Sequence, residues 1–258
     1  MKIFRWIAVA FSMYSKIPMP VFEWKEDDMS YSLAFFPLVG IVIGIPVIVI
    51  NAIAPFNTLP AAVRIMLTML IPLIVTGGFH ADGFMDTEDA LNSYAPVEKK
   101  LEILKDPNIG AFAVISLLKW MLVYAAALTA ILLNEKTDFR ILCVLGGGFV
   151  VSRSLSGLTS VLFRKAKKDG MLYEETRQNN KALTVISFIW LVAAAAAMIY
   201  ALPVCGTAVI LTFILYTIYY RYRIYKEFGG VTGDTAGFFL TTAEILSATV
   251  LAVIVYVL

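Results

Sequence analysis

Three aspartates, Asp82, Asp86 and Asp89, stand at i, i+4 and i+7 in the stretch GGFHADGFMDTEDA, residues 77–90. A helix running on out of the apolar segment before them puts all three carboxylates on one stripe. Like charges so close repel unless a cation sits among them. Hard divalent ions, magnesium above all, take carboxylate oxygens and fill their remaining positions with water and substrate phosphate. The bland alternative is an acidic helix beside a membrane with no ligand, but Asp82 lies almost at the end of an apolar run, where an unpaired charge is costly. Glu88 points to another face and reads as a solvated neighbour. His80, the single histidine, is either a general base or phosphate donor, or a hydrogen-bonded interfacial side chain. Gly77 and Gly78 loosen the helix or admit a ligand to the backbone.

A second cluster is FGGVTGDTAGFFLTTAEI, residues 228–245. Gly229, Gly230 and Gly233 around Asp234 describe a backbone-exposing loop that runs into an apolar helix, a geometry able to offer N–H groups to phosphate oxygens. The GK[ST] ending of a Walker A loop is absent. Glu244 follows about 10 Å into the membrane, at about 1.5 Å per helical residue. Lys119 and Arg153 each lie about 14 or 15 Å from the same end of their own apolar segments. This depth suggests an aqueous cavity with carboxylates at its mouth and Arg153 lower down, while Lys119 is equally readable as a snorkelling side chain. The basic loop FRKAKKDGMLYEETRQNN is either a topology signal that also attracts anionic lipid or an electropositive rim for an anionic substrate. Asp106 and Asn108, in LEILKDPNIG, open the third span, Asp106 as a ligand or a helix cap. Carboxylates, a divalent ion, lysines and a glycine-rich turn together fit metal-assisted transfer of a phosphorylated group.

The elements that must position these groups are membrane helices. A chain of 258 residues with 60% hydrophobic content and a mean hydropathy of +0.81 carries more apolar side chain than a soluble domain of this size hides. Apolar runs near the roughly 20 residues needed to cross the hydrocarbon core recur at about 33–53, 60–79, 110–133, 139–163, 183–203, 204–220 and 237–258. The alternation of a membrane barrel is missing, so the expectation is an all-α, polytopic bundle of about seven spans, a single integral membrane domain over residues 1–258. The opening MKIFRWIAVAFS resembles a signal peptide but lacks a cleavage site, and reads as a retained interfacial helix. Cys143 and Cys205 carry no metal or disulfide spacing. Sixteen of the loop Lys and Arg residues fall on one side of the seven-span model against Lys136 and Arg140 on the other, which predicts a cytoplasmic N-terminus. That side also receives the three long loops, near 80–109, 164–182 and 221–236. The expected site therefore faces the cytoplasm from the inner membrane.

TGGFHADGFMDTEDA, LEILKDPNIG and FGGVTGDTAG followed by Glu244 resemble, in order, the signature blocks of the cobalamin synthase family, the adenosylcobinamide-GDP ribazoletransferases. SKIPMP, FFPLVG and the Ser152–Arg153 pair add to the likeness, which runs over nearly the whole chain. The resemblance implies a Mg2+-dependent reaction in which a hydroxyl of alpha-ribazole, or of its 5'-phosphate, attacks the corrinoid-side phosphate of adenosylcobinamide-GDP and GMP leaves. It selects His80, Asp82, Arg153 and Asp234 as catalytic candidates, Asp82, Asp86, Asp89 and Glu244 as metal ligands, and Asp106, Gly229, Gly230 and Gly233 as substrate contacts. This chain departs from the family at Lys16, where Arg is frequent, at Thr241, where a Glu is frequent, and in AKKDGML, which replaces an AR…GLG loop. Membrane lipid is an expected partner, nucleic acid is not, and a homo-oligomer stays open. The same stripe also suits a CDP-alcohol or prenyl-diphosphate transferase. A transporter would spread its polar residues toward both faces.

Overall fold

Hydropathy sets the outline of the molecule, and the computed structural model, which describes residues 2–25, 28–29, 31–177 and 180–257, supplies the packing. Gln178 and Asn179 of the basic loop and Leu258 of the last expected span lie outside the described residues. Among the described residues there are eleven α-helices and no β-strand. They are α1 (Lys2–Tyr14), α2 (Ser32–Ala52), α3 (Ala61–Thr76), α4 (Phe79–Asn92), α5 (Val97–Ile103) and α6 (Ala111–Leu132), then α7 (Phe139–Leu162), α8 (Met171–Thr176), α9 (Asn180–Ala201), α10 (Pro203–Phe228) and α11 (Gly233–Val257). Six of them, α2, α6, α7, α9, α10 and α11, are long and apolar enough to cross a bilayer. The chain is a multi-pass membrane protein.

The innermost helix is α7, with 83% of its apolar window buried against 17% for α9. Its start is fixed by Asp138, whose carboxylate accepts from the backbone N–H of Arg140 and Ile141, the usual way to satisfy orphan donors at a helix N-terminus. Helix α2 lies along α7 at backbone distance: a Cβ on Gly40 would sit 2.3 Å from the Phe149 carbonyl oxygen, and one on Gly44 2.5 Å from that of Gly146. Between apolar helices in lipid, such close approach of small residues replaces the hydrophobic drive that water would supply. Large side chains on α9 and α10, including Phe188, Ile189, Leu215 and Ile218, face outward, as lipid-facing helices require.

The structure corrects the sequence reading at the second span. The acidic helix does not continue out of it. Gly77 and Gly78 take left-handed φ angles of 66° and 82°, a conformation that costs glycine little and other residues more, and the chain turns through 94° between α3 and α4. Helix α3 has 16 residues, about 24 Å, and passes for a span by length and composition only together with α4. Helix α4 runs across the ends of α6 and α11 outside the crossing helices. Helix α1, at 13 residues, is too short to span and packs beside α2, with Trp6 stacked on Tyr31 at 4.2 Å and Arg5 paired with Asp28 at 2.5 Å. That bond holds the Asp28 carboxyl below its ordinary range.

The three long loops meet at one end of the bundle. Lys165 pairs with Val231 in a short parallel bridge, the Lys167 ammonium donates to the Leu101 carbonyl at 3.3 Å, and Lys100 forms an ion pair with Glu227. The contact of α4 with α11 is close. A Cβ on Gly83 would lie 2.9 Å from the Asp234 backbone, and one on Gly237 2.9 Å from the His80 carbonyl oxygen. We therefore expect Gly83→Ala and Gly237→Ala each to destabilise the protein by about 1–3 kcal/mol, the usual cost of overpacking a close contact. Unfolding of the purified variants in detergent measures it, and wild-type stability in both would show that the helices separate freely.

Candidate functional site

Where α4 crosses α11, the two sequence clusters that carry acidic residues become one site. Thr241 donates its hydroxyl to the His80 carbonyl at 3.3 Å, and the Phe84 and Phe238 rings stack at 5.7 Å. The start of α11 is shaped by a reciprocal cap: the Thr232 N–H donates to Thr235 Oγ1 at 2.8 Å, and the Thr235 N–H to Thr232 Oγ1 at 3.2 Å, a capping-box pattern with threonine at both ends. Asp234 is thereby held at the second position of the helix, beside Gly83.

A cavity of about 350 Å³ opens at this junction. Asp82 and Asp234 line one side of it; Lys105, Lys165 and Lys167, brought in by the loops, line it too. Three buried polar atoms on its wall have no protein partner: Nδ1 of His80, Oγ of Ser160 and Nζ of Lys165. Buried donors and acceptors are almost always satisfied, so a polar ligand is the natural complement of this wall. Burial pushes the Lys165 ammonium down to about 8. His80 itself is buried, stacked on Phe36 at 5.4 Å with Phe79 edge-on at 5.5 Å.

The acidic stripe is divided by its surroundings. Asp82 is exposed and reaches the cavity. Asp86 is half-buried, and burial together with the negative charges of Asp82, Asp234 and Asp89 pushes its carboxyl up to about 6. Asp89 packs against Gly110 at the start of α6, where any Cβ would meet its carboxylate at 2.0 Å, a place where the helix dipole favours negative charge. Glu88 is not the solvated neighbour that the sequence suggests: it accepts from Ser116 Oγ at 2.8 Å and ties α4 to α6.

Glu244 and Arg153 lie deeper and find each other. Arg153 Nη1 donates to Glu244 Oε1 at 2.6 Å and to the Phe149 carbonyl at 3.0 Å, and Ser152 Oγ adds a bond to the same carboxylate oxygen at 2.8 Å. Arg153 is only 1% exposed. The pair lines a separate, smaller cavity of about 50 Å³ that His80 also borders. Lys119 is exposed on α6, in keeping with a snorkelling side chain. Asp106 caps no helix; it folds back on Asn108, accepting from its N–H at 2.9 Å and its Nδ2 at 2.7 Å. Of the loop glycines, Gly233 lines the main cavity, Gly229 ends α10 with a left-handed φ of 75°, and Gly230 is pressed against the Arg164–Ala166 backbone.

One residue of the site has no counterpart among the sequence candidates. Glu175, on α8, is 1% exposed and lines the main cavity. Its Oε1 accepts from Tyr14 Oη at 2.5 Å and from Ser32 Oγ at 3.1 Å. Burial pushes its carboxyl up to about 7 against the downward pull of those two bonds. In the sequence, Glu175 is one of two adjacent glutamates in a charged loop, and its neighbour Glu174 makes an ordinary surface pair with Arg177 at 3.0 Å.

Among the described residues, no three His, Cys, Asp or Glu side chains close around one point as a ready-made metal cage. The donor set is nonetheless rich in oxygen: Asp82, Asp169, Glu175 and Asp234 line the cavity, and negative charge gathers around Asp86. That suits a hard ion which keeps most of its ligands as water and phosphate.

A helical membrane bundle with a polar, charge-divided cavity at one end defines a polytopic enzyme acting on an anionic substrate. The cobalamin-5-phosphate synthase family model matches residues 6–252, so the chain belongs to that family. It is 39% identical to the adenosylcobinamide-GDP ribazoletransferase of Lachnoclostridium phytofermentans, over 96% of this chain and 92% of that one. Proteins of the same name from Clostridium perfringens and Listeria monocytogenes are 32% and 30% identical, over 98% and 87% of this chain and 100% and 88% of theirs. No solved structure matches the chain.

Breaking the deep ion pair should leave a buried charge without a partner. Arg153→Met or Glu244→Gln is expected to cost about 3–5 kcal/mol, and the double variant Arg153→Met/Glu244→Gln less than the two losses combined. A double-mutant cycle of unfolding in detergent reads the coupling, and additive losses would mean that the two charges do not interact.

Proposed function

We propose that the chain is an adenosylcobinamide-GDP ribazoletransferase, which joins alpha-ribazole or its 5'-phosphate to the corrinoid-side phosphate of adenosylcobinamide-GDP and releases GMP. The observation that carries this reading is the single cavity in which Asp82 and Asp234 share the wall with Lys105, Lys165 and Lys167. A diphosphate ester needs both kinds of group. Lysines neutralise its oxygens directly, and carboxylates do so through a divalent cation. The family membership and the names of the relatives support the substrate assignment.

In this reading Asp82 and Asp234, with Asp86 behind them, are the residues that would hold Mg2+. When bound, that ion would supply charge neutralisation on the diphosphate. The chain's own part is placement. Lys165, Lys167 and Lys105 bind the phosphates and stabilise the negative charge that builds up as GMP departs. Ser160, whose hydroxyl has no partner among the described residues, donates to a phosphate oxygen. The apolar wall of Phe36, Phe79 and Leu240 keeps bulk water from competing as the nucleophile. Asp89, held against Gly110, and Glu244, held by Arg153, act as structural charges that position α4 and α11. The excess of Lys and Arg in the long loops supports a cytoplasmic face for the site.

The test is an assay of the purified protein with adenosylcobinamide-GDP, alpha-ribazole and Mg2+, with GMP release as the readout. Chelation should abolish turnover and added Mg2+ should restore it. Asp82→Asn and Asp234→Asn should each lower turnover about 10²-fold or more while the protein stays folded. Wild-type turnover by either variant, or in excess chelator, removes the metal assignment.

A further inference from the structure

The cavity has two halves of different chemistry. The charged half, with Asp82, Asp234 and the lysines, is the part used above. The other is walled by Tyr14, Leu33, Phe36, Met171 and Leu172, with the Tyr14 and Phe36 rings 4.3 Å apart. Inside this apolar half stands one carboxylate, Glu175, and both protein hydroxyls that reach it donate to the same oxygen, Oε1. Oε2 has no hydrogen-bond partner among the described residues. A carboxylate so placed is held in position by one oxygen and left with an open lone pair on the other.

We propose that Glu175 takes the proton from the attacking hydroxyl of the acceptor nucleoside, whose flat aromatic base lies in the apolar half beside it. This rests on the transferase reading and deepens it. The hydroxyl oxygen forms a bond to the corrinoid-side phosphorus, the bond from that phosphorus to the GMP oxygen breaks, and the electron pair leaves with GMP. The proton of the hydroxyl passes to Glu175 Oε2. Two opposed effects suit the group to this task. Burial favours the protonated form, and the Tyr14 and Ser32 hydroxyls favour the ionised one, so the carboxyl titrates at about 7, where a base is most useful. His80, packed between two aromatic rings, sits at the boundary with the deeper cavity.

Several charged groups share the cavity with Glu175. From α1 comes Tyr14, from α4 His80 and Asp82, and from α11 Asp234. The loops add Lys105, Lys165, Lys167 and Asp169, and α8 itself adds Tyr173. Helices α2 and α7 bring only serines and apolar side chains. Tyr14 alone among the titratable groups is bonded to Glu175, which makes it the handle for a test.

The experiment is the pH profile of turnover for the full-length protein in detergent, with adenosylcobinamide-GDP and alpha-ribazole as substrates. In wild type, activity should rise through an acid limb near pH 7, since the base must lose its proton to work. Glu175→Gln should lower kcat by about 10²- to 10⁴-fold with KM for adenosylcobinamide-GDP little changed, and should abolish that limb. Tyr14→Phe removes a donor to the ionised form and should move the limb up by roughly one pH unit. A Glu175→Gln enzyme within about threefold of wild-type kcat, or one that keeps the limb, overturns the proposal and leaves Glu175 as a strut between α1, α2 and α8. Should Glu175→Gln fail to fold, an unshifted limb in Tyr14→Phe overturns it by itself. A folded wild type that turns over neither substrate would instead sink the transferase reading, and the base assignment with it.

Discussion

The contact on which this molecule depends is the crossing of α4 over α11, where Gly83 meets the Asp234 backbone and Gly237 meets the His80 carbonyl. Gly83 and Gly237 have no side chain at the points of closest approach, so two helices that carry acidic groups come to backbone distance. In water two such helices would repel and part. Here α4 is held from three directions: by the turn at Gly77–Gly78, by the Glu88–Ser116 bond to α6, and by the stacked Phe84 and Phe238 rings. Each of these is short-ranged and geometric, and together they hold like charges near one another. The raised Asp86 carboxyl records that constraint, since three of the four causes of its shift are neighbouring aspartates.

Depth in the membrane sorts the charges by role. The lysines and carboxylates of the main cavity sit where loops and water can reach them, and they are left without full partners. Arg153 and Glu244, farther along α7 and α11, are paired with each other, and Ser152 and the Phe149 carbonyl bond to them as well. That division follows from solvation. An unpaired charge is tolerable at the edge of the bundle and expensive within it. The deep pair also ties α11 to α7, so the helix that presents Asp234 is anchored to the most buried of the long helices.

Much of this was legible in the sequence, for reasons that differ by element. Hydropathy finds spans because a helix in lipid must be apolar over its length, and α2, α6, α7, α9, α10 and α11 lie close to where the apolar runs fall. The meeting of the 82–89 and 234–244 segments was legible only as a need: buried or crowded carboxylates require company, and depth arithmetic pairs Glu244 with Arg153. The elbow before Phe79 was not legible, because a glycine pair is compatible with a loosened helix, a ligand approach and a sharp turn alike. Glu88 was misread, and the capping alternative for Asp106 fails, because their partners, Ser116 and Asn108, are unremarkable polar residues whose value lies in where the backbone puts them. Glu175 was invisible for the opposite reason. It looks like its surface neighbour Glu174, and only the folding of α8 onto α1 and α2 takes it out of water.

Helix α1 lies outside the crossing bundle, amphipathic and only 13 residues long, yet its last residue supplies a wall of the cavity through Tyr14. Anything that shifts this helix, such as a bulky fusion at the front of the chain or a bilayer of different thickness under its apolar face, is mechanically connected to the chemistry. The surface of the membrane thus has a direct purchase on the shape of the cavity.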